Sequence, residues 1–200
     1  HSIRRRQRQM CIRDRKWSVN EKSAFSFGLG YHSQTQPLYT RYYLSPGNST
    51  SSNEALGLSY SKHIVLGYSH QLSKNFGIKT EAYYQGLTGI PIETDSSAFS
   101  LINAGSGFAR VFPNALVNNG TGYNYGLEIT IQRYFNKSWH ALFSGCLYNS
   151  RYTPSDGIER NTSYNGLYAA NFLAGKEFRV GENKVLGLGI KITGAGGKRK

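Results

Sequence analysis

The chain is poor in the residues that mark helical or disulfide-held proteins. It has one methionine, two cysteines, five prolines and two tryptophans in 200 residues. The cysteines, Cys11 and Cys146, make no disulfide framework, and no CxxC spacing suggests zinc. Cys146 is expected to be free and reduced. No apolar run approaches the roughly 18–20 residues of a membrane helix, and mean hydropathy is −0.48. This leaves a membrane barrel open, because a barrel strand turns only alternate side chains toward lipid. Acidic residues are also scarce, 11 against 24 Lys and Arg, for a net charge of +13. The excess is clustered in Arg4, Arg5, Arg6, Arg8, Arg13, Arg15 and Lys16 at one end and Lys198, Arg199 and Lys200 at the other. A nucleic-acid-binding sheet needs cations interleaved with aromatics along one face. Here the strands between the two clusters are close to neutral.

What the chain does have is 15 Tyr, 10 Phe and 23 Gly, a composition that reads all-β. The run Tyr123–Phe135 alternates almost without a break. Tyr123, Tyr125, Leu127, Ile129, Ile131 and Phe135 share one face, interrupted only by Arg133, and polar residues fill the other. It is more than twice as long as the usual globular strand of about 5–6 residues. The same period of two predicts strands over Ala24–Ser33, His63–Leu72, Phe76–Gln85, Trp139–Tyr152, Gly166–Val180 and Lys184–Thr193. Three of the connections are brief: Ser73-Lys74-Asn75, Asn136-Lys137-Ser138 and Gly181-Glu182-Asn183. The others are long and rich in Gly, Asn, Ser and Pro, over 34–62, 87–121 and 153–165. Strict alternation of long loops and short turns is the habit of outer-membrane barrels. Aromatics gather at the strand ends, with Phe76, Phe135, Trp139 and Phe178 beside the short turns. Tyr84, Tyr123, Tyr125, Tyr152 and Tyr168 lie beside the long loops, as in two interfacial girdles.

Two resemblances extend this reading. Arg4–Arg15 resembles translated sequencing-adaptor sequence. That implies a native start near Lys16 or Trp17, with residues 1–15 a non-native basic arm; the missing apolar leader core then says nothing about export. Glu81–Leu87 followed by Ile90-Pro91, Asn119–Glu128, Tyr148–Tyr152, Asp156–Thr162 and Gly175–Phe178 resemble the C-terminal barrel of TonB-dependent outer-membrane receptors. The branch is the one with an N-terminal carboxypeptidase-regulatory-like domain. The resemblance implies that residues 16–200 form a partial antiparallel transmembrane β-barrel, about seven meander strands of a larger barrel of about 22. It implies a piece truncated at both ends, located in the cell outer membrane. The expected partners are outer-membrane lipid, the protein's own plug domain, the TonB energy-coupling complex and a surface lipoprotein, with no nucleic acid.

No constellation for catalysis is visible, and no enzyme activity, cofactor or metal is expected. His1, His32, His63, His70 and His140 are scattered. Ser144-Gly145-Cys146 sits mid-strand, unlike a nucleophile elbow, and Cys146 shares the polar-face parity of Ser144. Asn48-Ser49-Thr50, Asn119-Gly120-Thr121, Asn136-Lys137-Ser138 and Asn161-Thr162-Ser163 match a glycosylation pattern that a bacterial outer membrane makes irrelevant. Asp156-Gly157-Ile158-Glu159 reads as a turn rather than a cation site. Lys79, Glu81, Gln85, Glu128 and Gln132 have the parity of lumen- and plug-facing residues. Phe108, Arg110 and Phe112 in the second long loop, and Tyr152, Asp156 and Arg160 around the third, are the ligand candidates, since aromatics stack on flat ligands and Arg pairs with carboxylates. The function read from this is active uptake of a bulky nutrient, a metal chelate or an oligosaccharide. The alternatives are a non-transporting outer-membrane barrel (adhesin or enzyme) and a soluble basic β-protein that binds nucleic acid.

Overall fold

The computed structural model describes residues 10–44, 53–104, 115–182 and 184–197. The strands are β1 (Met10–Ser18), β2 (Ser23–Gln34), β3 (Ser59–Ser73), β4 (Phe76–Glu93), β5 (Leu116–Asn136), β6 (Trp139–Thr153), β7 (Arg160–Asn161), β8 (Tyr168–Arg179) and β9 (Val185–Ala195), with one α-helical turn, α1 (Leu38–Arg41), and a 3-10 turn at Leu101–Asn103. They form a single antiparallel sheet in the order β1-β2-β3-β4-β5-β6-β8-β9, with the short β7 also pairing with β6. The fold is all-β, an antiparallel meander of the barrel type.

All seven strands read from the alternation are present. Through the middle of the sheet their side chains follow the expected parity, because the register shifts lie only toward the strand ends. One transverse row joins Phe27, Leu66, Ala82, Leu127, Leu147 and Tyr168. These side chains share an outward face with no opposing layer among the described residues, and Leu66, Leu127 and Leu147 are 55%, 54% and 64% exposed. Aliphatic surface of this extent has to be covered by something other than water; in a membrane barrel, lipid covers it.

The brief connections are hairpins. Lys137 and Ser138 both take positive φ, 51° and 65°, between β5 and β6. That is the backbone twist a two-residue hairpin requires. Arg133, the exception in the apolar face of β5, lies at this same end with its Cζ 3.9 Å from the Trp139 ring centroid. A cation held on an aromatic face near the turns suits the headgroup level rather than the hydrocarbon.

The structure differs from the sequence reading in four places. A strand precedes the first expected one: β1 spans the boundary of the basic arm and pairs with β2 from Met10↔His32 to Ser18↔Ala24. Ladder pairing uses backbone groups and needs no alternating side chains, so periodicity did not reveal it. The second long loop is shorter than 87–121, because β4 continues to Glu93 and β5 starts at Leu116. Register shifts at Thr88/Ile90 and Ile90/Ile92 break the period there, and Gly89 takes a φ of 66°. The third loop contains β7, paired with Arg151 and Tyr152. Finally, Tyr152 is not part of an outward girdle. It has the opposite parity and is 5% exposed.

Apart from Ala24 at the turn end, the buried apolar residues gather at the loop end of the sheet: Leu56, Ile90, Ile92, Leu101, Leu116 and Tyr152. The middle of the sheet is one layer thick. Arginine at Leu127, in the outward row, is therefore expected to cost about 2–4 kcal/mol in lipid vesicles, while Gln132→Arg on the other face costs near zero. Reversible denaturant unfolding of the vesicle-bound chain measures both, and equal costs would refute the assignment of the two faces.

Candidate functional site

The inner face of the sheet and the loops above it form the candidate site. Lys79, Glu81, Gln85, Glu128 and Gln132 lie on one face, as parity requires. Their cross-strand partners are Thr130 for Lys79, Glu128 for Glu81, Asn124 for Gln85 and Gly77 for Gln132. Lys79 Nζ is 2.6 Å from Glu81 Oε2. Two carboxylates directly opposed on neighbouring strands repel, and this one lysine neutralises only part of the pair. Gln85 connects three strands: its amide donates to Ser61 Oγ at 2.7 Å, and it accepts from Asn124 Nδ2 at 2.8 Å. Cys146 is a free thiol on the same face, with the Tyr83 hydroxyl 4.0 Å away.

Toward the loop end, this face opens into a cavity of about 500 Å³ whose wall includes His32, Gln36, Tyr39, Ser61, Ile90 and Ile102. Polar groups come from β2, β3 and the first loop, and apolar ones from the end of β4 and the second loop. His32 and His63 lie near this end with their rings stacked, 4.8 Å apart and 11° from parallel. The sequence reading treated these histidines as scattered. The register His32↔Ser61 and Gly30↔His63 brings them together, and only strand pairing could have shown it. Among the described residues, no group of three or more His, Cys, Asp or Glu is placed to hold a metal ion.

Polar ties lock the loops to one another. Asn53 is fully buried; its Nδ2 donates to the Thr40 carbonyl at 3.2 Å, and its Oδ1 accepts from Leu116 N at 2.8 Å. This fastens the first long loop to the start of β5. Ser155 Oγ donates to the Asp95 carbonyl at 2.6 Å, Asn103 Oδ1 accepts from Ser163 N at 2.9 Å, and the Tyr152 hydroxyl donates to the Ala98 carbonyl at 3.1 Å. These three bonds join the second loop to the third loop and to the end of β6.

The ligand candidates divide accordingly. Phe108, Arg110 and Phe112 lie outside the described residues. Tyr152 is buried, with its hydroxyl engaged in the loop contact. Asp156 and Arg160 come together in a two-pronged ion pair at 2.6 and 2.8 Å. Asp156 Oδ1 also accepts from Ile158 N, which closes the turn at Gly157. Glu159, weighed in the sequence only as part of the Asp156–Glu159 turn, binds Arg151 Nη1 at 2.6 Å and the Tyr123 hydroxyl at 3.0 Å. The Arg160 guanidinium, with the Ile158 amide, holds the Asp156 carboxyl below the ordinary carboxylate range. Arg151, then Tyr123, does the same for Glu159.

No family model matches the chain, and no curated protein matches it. Among solved structures, the FrpB iron transporter from Neisseria meningitidis (F3-3 variant) shares the fold, with a TM-score of 0.63 and 14% identity over 91% of this chain. The chain spans 26% of that transporter's length. At this identity the likeness establishes the fold alone.

Two expectations follow from the loop contacts. Carboxylates with lowered folded-state values stabilise fully above the ordinary carboxylate range, near pH 4, and lose that contribution as pH falls through the lowered values. Hydrogen-exchange protection over residues 154–162, taken relative to the intrinsic rate at each pH, should therefore fall below about pH 4. Asp156→Asn should lower that protection at neutral pH and flatten its pH response; an unchanged protection profile would refute the role of the pair. Separately, Asn53→Ala leaves the Leu116 amide and the Thr40 carbonyl without this partner. It should lower protection of residues 53–58 and 116 by about 1–3 kcal/mol, again read by hydrogen exchange.

Proposed function

We propose that the chain is part of an outer-membrane, TonB-dependent transporter that takes up a bulky nutrient, a metal chelate or an oligosaccharide. One observation carries this reading: an outward apolar face spans the sheet, long interlocked loops cap one end and tight hairpins close the other. A soluble sandwich would cover that face with a second sheet. The fold shared with an iron transporter supports the same reading.

In the intact transporter the loops would capture the ligand. The cavity near His32 and Ile102 would receive it, with Phe108, Arg110 and Phe112 contributing from the second loop. The inner face would hold a plug domain. The opposed Glu81 and Glu128, with Lys79 beside them, would take a cationic group from that plug; Gln85 and Gln132 would supply amide contacts. Energy from the inner-membrane coupling complex would then move the plug and open the lumen. The chemistry asked of these residues is binding and release, with no bond made or broken.

The test is cellular. Disruption of the coding sequence in its host should abolish energy-dependent uptake of one labelled substrate among a panel of ferric chelates and oligosaccharides. The protein should fractionate with the outer membrane, and antibody to residues 154–162 should label intact cells. Recovery in the soluble fraction, or unchanged uptake of every substrate in the panel, would overturn the proposal.

A further inference from the structure

The cavity beside His32 is richer in apolar surface than in free polar groups. Leu87, Ile90, Pro91, Leu101 and Ile102 give it an aliphatic wall, with Ile90 and Leu101 buried. Gln36, Ser59 and Ser61 also line it, and all three are already engaged. Gln36 is 6% exposed and donates to Ser59 Oγ at 2.8 Å. Ser59 Oγ donates in turn to the Gly89 carbonyl at 2.8 Å. Ser61 Oγ accepts from Gln85 Nε2 at 2.7 Å, which leaves its own proton to give. No Lys, Arg, Asp or Glu is among the described residues of the lining. An oligosaccharide carries hydroxyls all round and needs partners for each one it buries. This wall offers few.

His32 differs from these. It has no hydrogen-bond or ion-pair partner among the described residues, only the stack on His63, with centroids 4.8 Å apart. Stacking engages the faces of the two rings and leaves their edges, which carry the nitrogens. His63 is fixed by Gly30, its register partner, where a Cβ would collide with the imidazole. Ser61 is the cross-strand partner of His32. An imidazole N–H and a hydroxyl side by side can each serve one oxygen of a carboxylate. Few charges surround the pair. Asp14, in register with Gly28, is the one acidic residue in the adjoining inner row. Lys62 of β3 has the outward parity, and β4 brings the uncharged Gln85 and Leu87. The first loop brings Tyr39, and the second Leu101, Ile102 and Ala104. Arg160, in the same inner row beyond β6, is held by Asp156.

We infer that this cavity takes a carboxylate carried on an apolar body. His32 and Ser61 would hold the carboxylate, and the aliphatic wall would cover the body. Imidazole is protonated below about pH 6.5 and neutral above it, and a charged donor makes the stronger hydrogen bond. The described lining holds no permanent cation, so capture of an anion draws a proton to His32. Binding therefore tightens as the medium turns acidic. His63 acts as a positioning residue, keeping the plane of the His32 ring. The inference rests on the uptake reading above and narrows its nutrient to an amphipathic acid, which a neutral oligosaccharide is not.

The test uses the full chain in phosphatidylcholine vesicles, with hexanoate, hexanamide as its neutral match, and maltose as probes. Saturation-transfer NMR, corrected for empty vesicles, reads binding from about pH 8 down to about pH 6. Hexanoate should bind about tenfold more tightly at the acid end. Hexanamide should bind equally throughout, and maltose not at all. His32→Gln should remove the pH response of hexanoate and leave hexanamide as it was, which shows the cavity still folded. Ile102→Ala should weaken hexanoate and hexanamide alike. Gly30→Ala displaces His63 without entering the wall and should reduce the pH response. A response lost in Asp14→Asn but kept in His32→Gln would place the charge on His63 and overturn the assignment. Equal binding of acid and amide at every pH, no binding of either, or maltose in place of both would overturn the inference alone. Flotation of the same vesicles reads membrane entry separately. A chain that binds hexanoate in this way but does not float would overturn the uptake reading and leave the cavity's ligand standing.

Discussion

The structure depends on one constraint, the register of the antiparallel ladder from β2 to β9. Side chains alternate with a period of two, so a slip of one residue would move every apolar side chain to the inner face. The ladder keeps its count through the middle of the sheet. Its irregularities lie at the ends, at Gln71/Ser73, Thr88/Ile90, Ile90/Ile92 and Arg133/Asn136. Close packing protects the register from within. A Cβ at Gly126 would lie 2.7 Å from both the Leu147 carbonyl and the Tyr83 hydroxyl. A slip that put any other residue there would have to move backbone. The hairpins pin the same count from outside, because Lys137 and Ser138 admit one alignment of β5 on β6.

The bulges at the loop end have a structural use. Each re-aims the chain, and together they turn Ile90, Ile92 and Leu116 out of the sheet's two faces and into the small core beneath the loops. That core gives the loops something to sit on, and the buried asparagines fix where they sit. Asn53 answers a carbonyl in one loop and an amide at the start of β5. Asn165, also fully buried, donates to Asn149 Oδ1 at 2.6 Å and Asn161 Oδ1 at 2.8 Å. Donors enclosed this way are costly unless paired, so the bonds from the Asn53 and Asn165 amides favour one loop arrangement. The cavity beside His32 is thereby largely pre-formed, which lowers the ordering cost of binding there.

How much of this was legible in the sequence varied with the physics involved. The strands from Ala24 to Thr193, their faces and the brief turns were readable because an apolar outward face and a polar inner face impose a two-residue period. The parity of Lys79, Glu81, Gln85, Glu128 and Gln132 followed for the same reason. Tyr152 was misplaced because counting aromatics near a strand end ignores which face each occupies. β1 was missed because its side chains carry no pattern, and the ends of β4 and β5 because the bulges reset the period. The ties between loops, the His32–His63 stack and the pair Arg151–Glu159 join residues distant in sequence or in different elements. No local pattern encodes them, and they appear only once strand pairing and loop course are known.

The thickness of the apolar band ties these features to a membrane. Few large side chains are buried between strands and loops, so the sheet has no core of its own to offset the conformational entropy of ordering its strands. On the membrane reading proposed above, lipid supplies the missing layer, and its thickness can be read from the cations that bound the apolar face. At the loop end the boundary is the row in which Lys62, Gly86, Tyr123 and Arg151 pair in register. At the turn end it is Arg133 over Trp139, with Phe76 opposite Arg133 in register. Tyr123 and Arg133 lie ten residues apart on β5. At about 3.4 Å per residue that is about 34 Å of strand, and at a tilt of about 45° it projects to about 24 Å. The apolar band of outer-membrane barrels is about 25 Å tall. On that reading the start of β5 would stand clear of the bilayer on the loop side, and the excess length of the central strands would lift the loops and their cavity above the membrane surface.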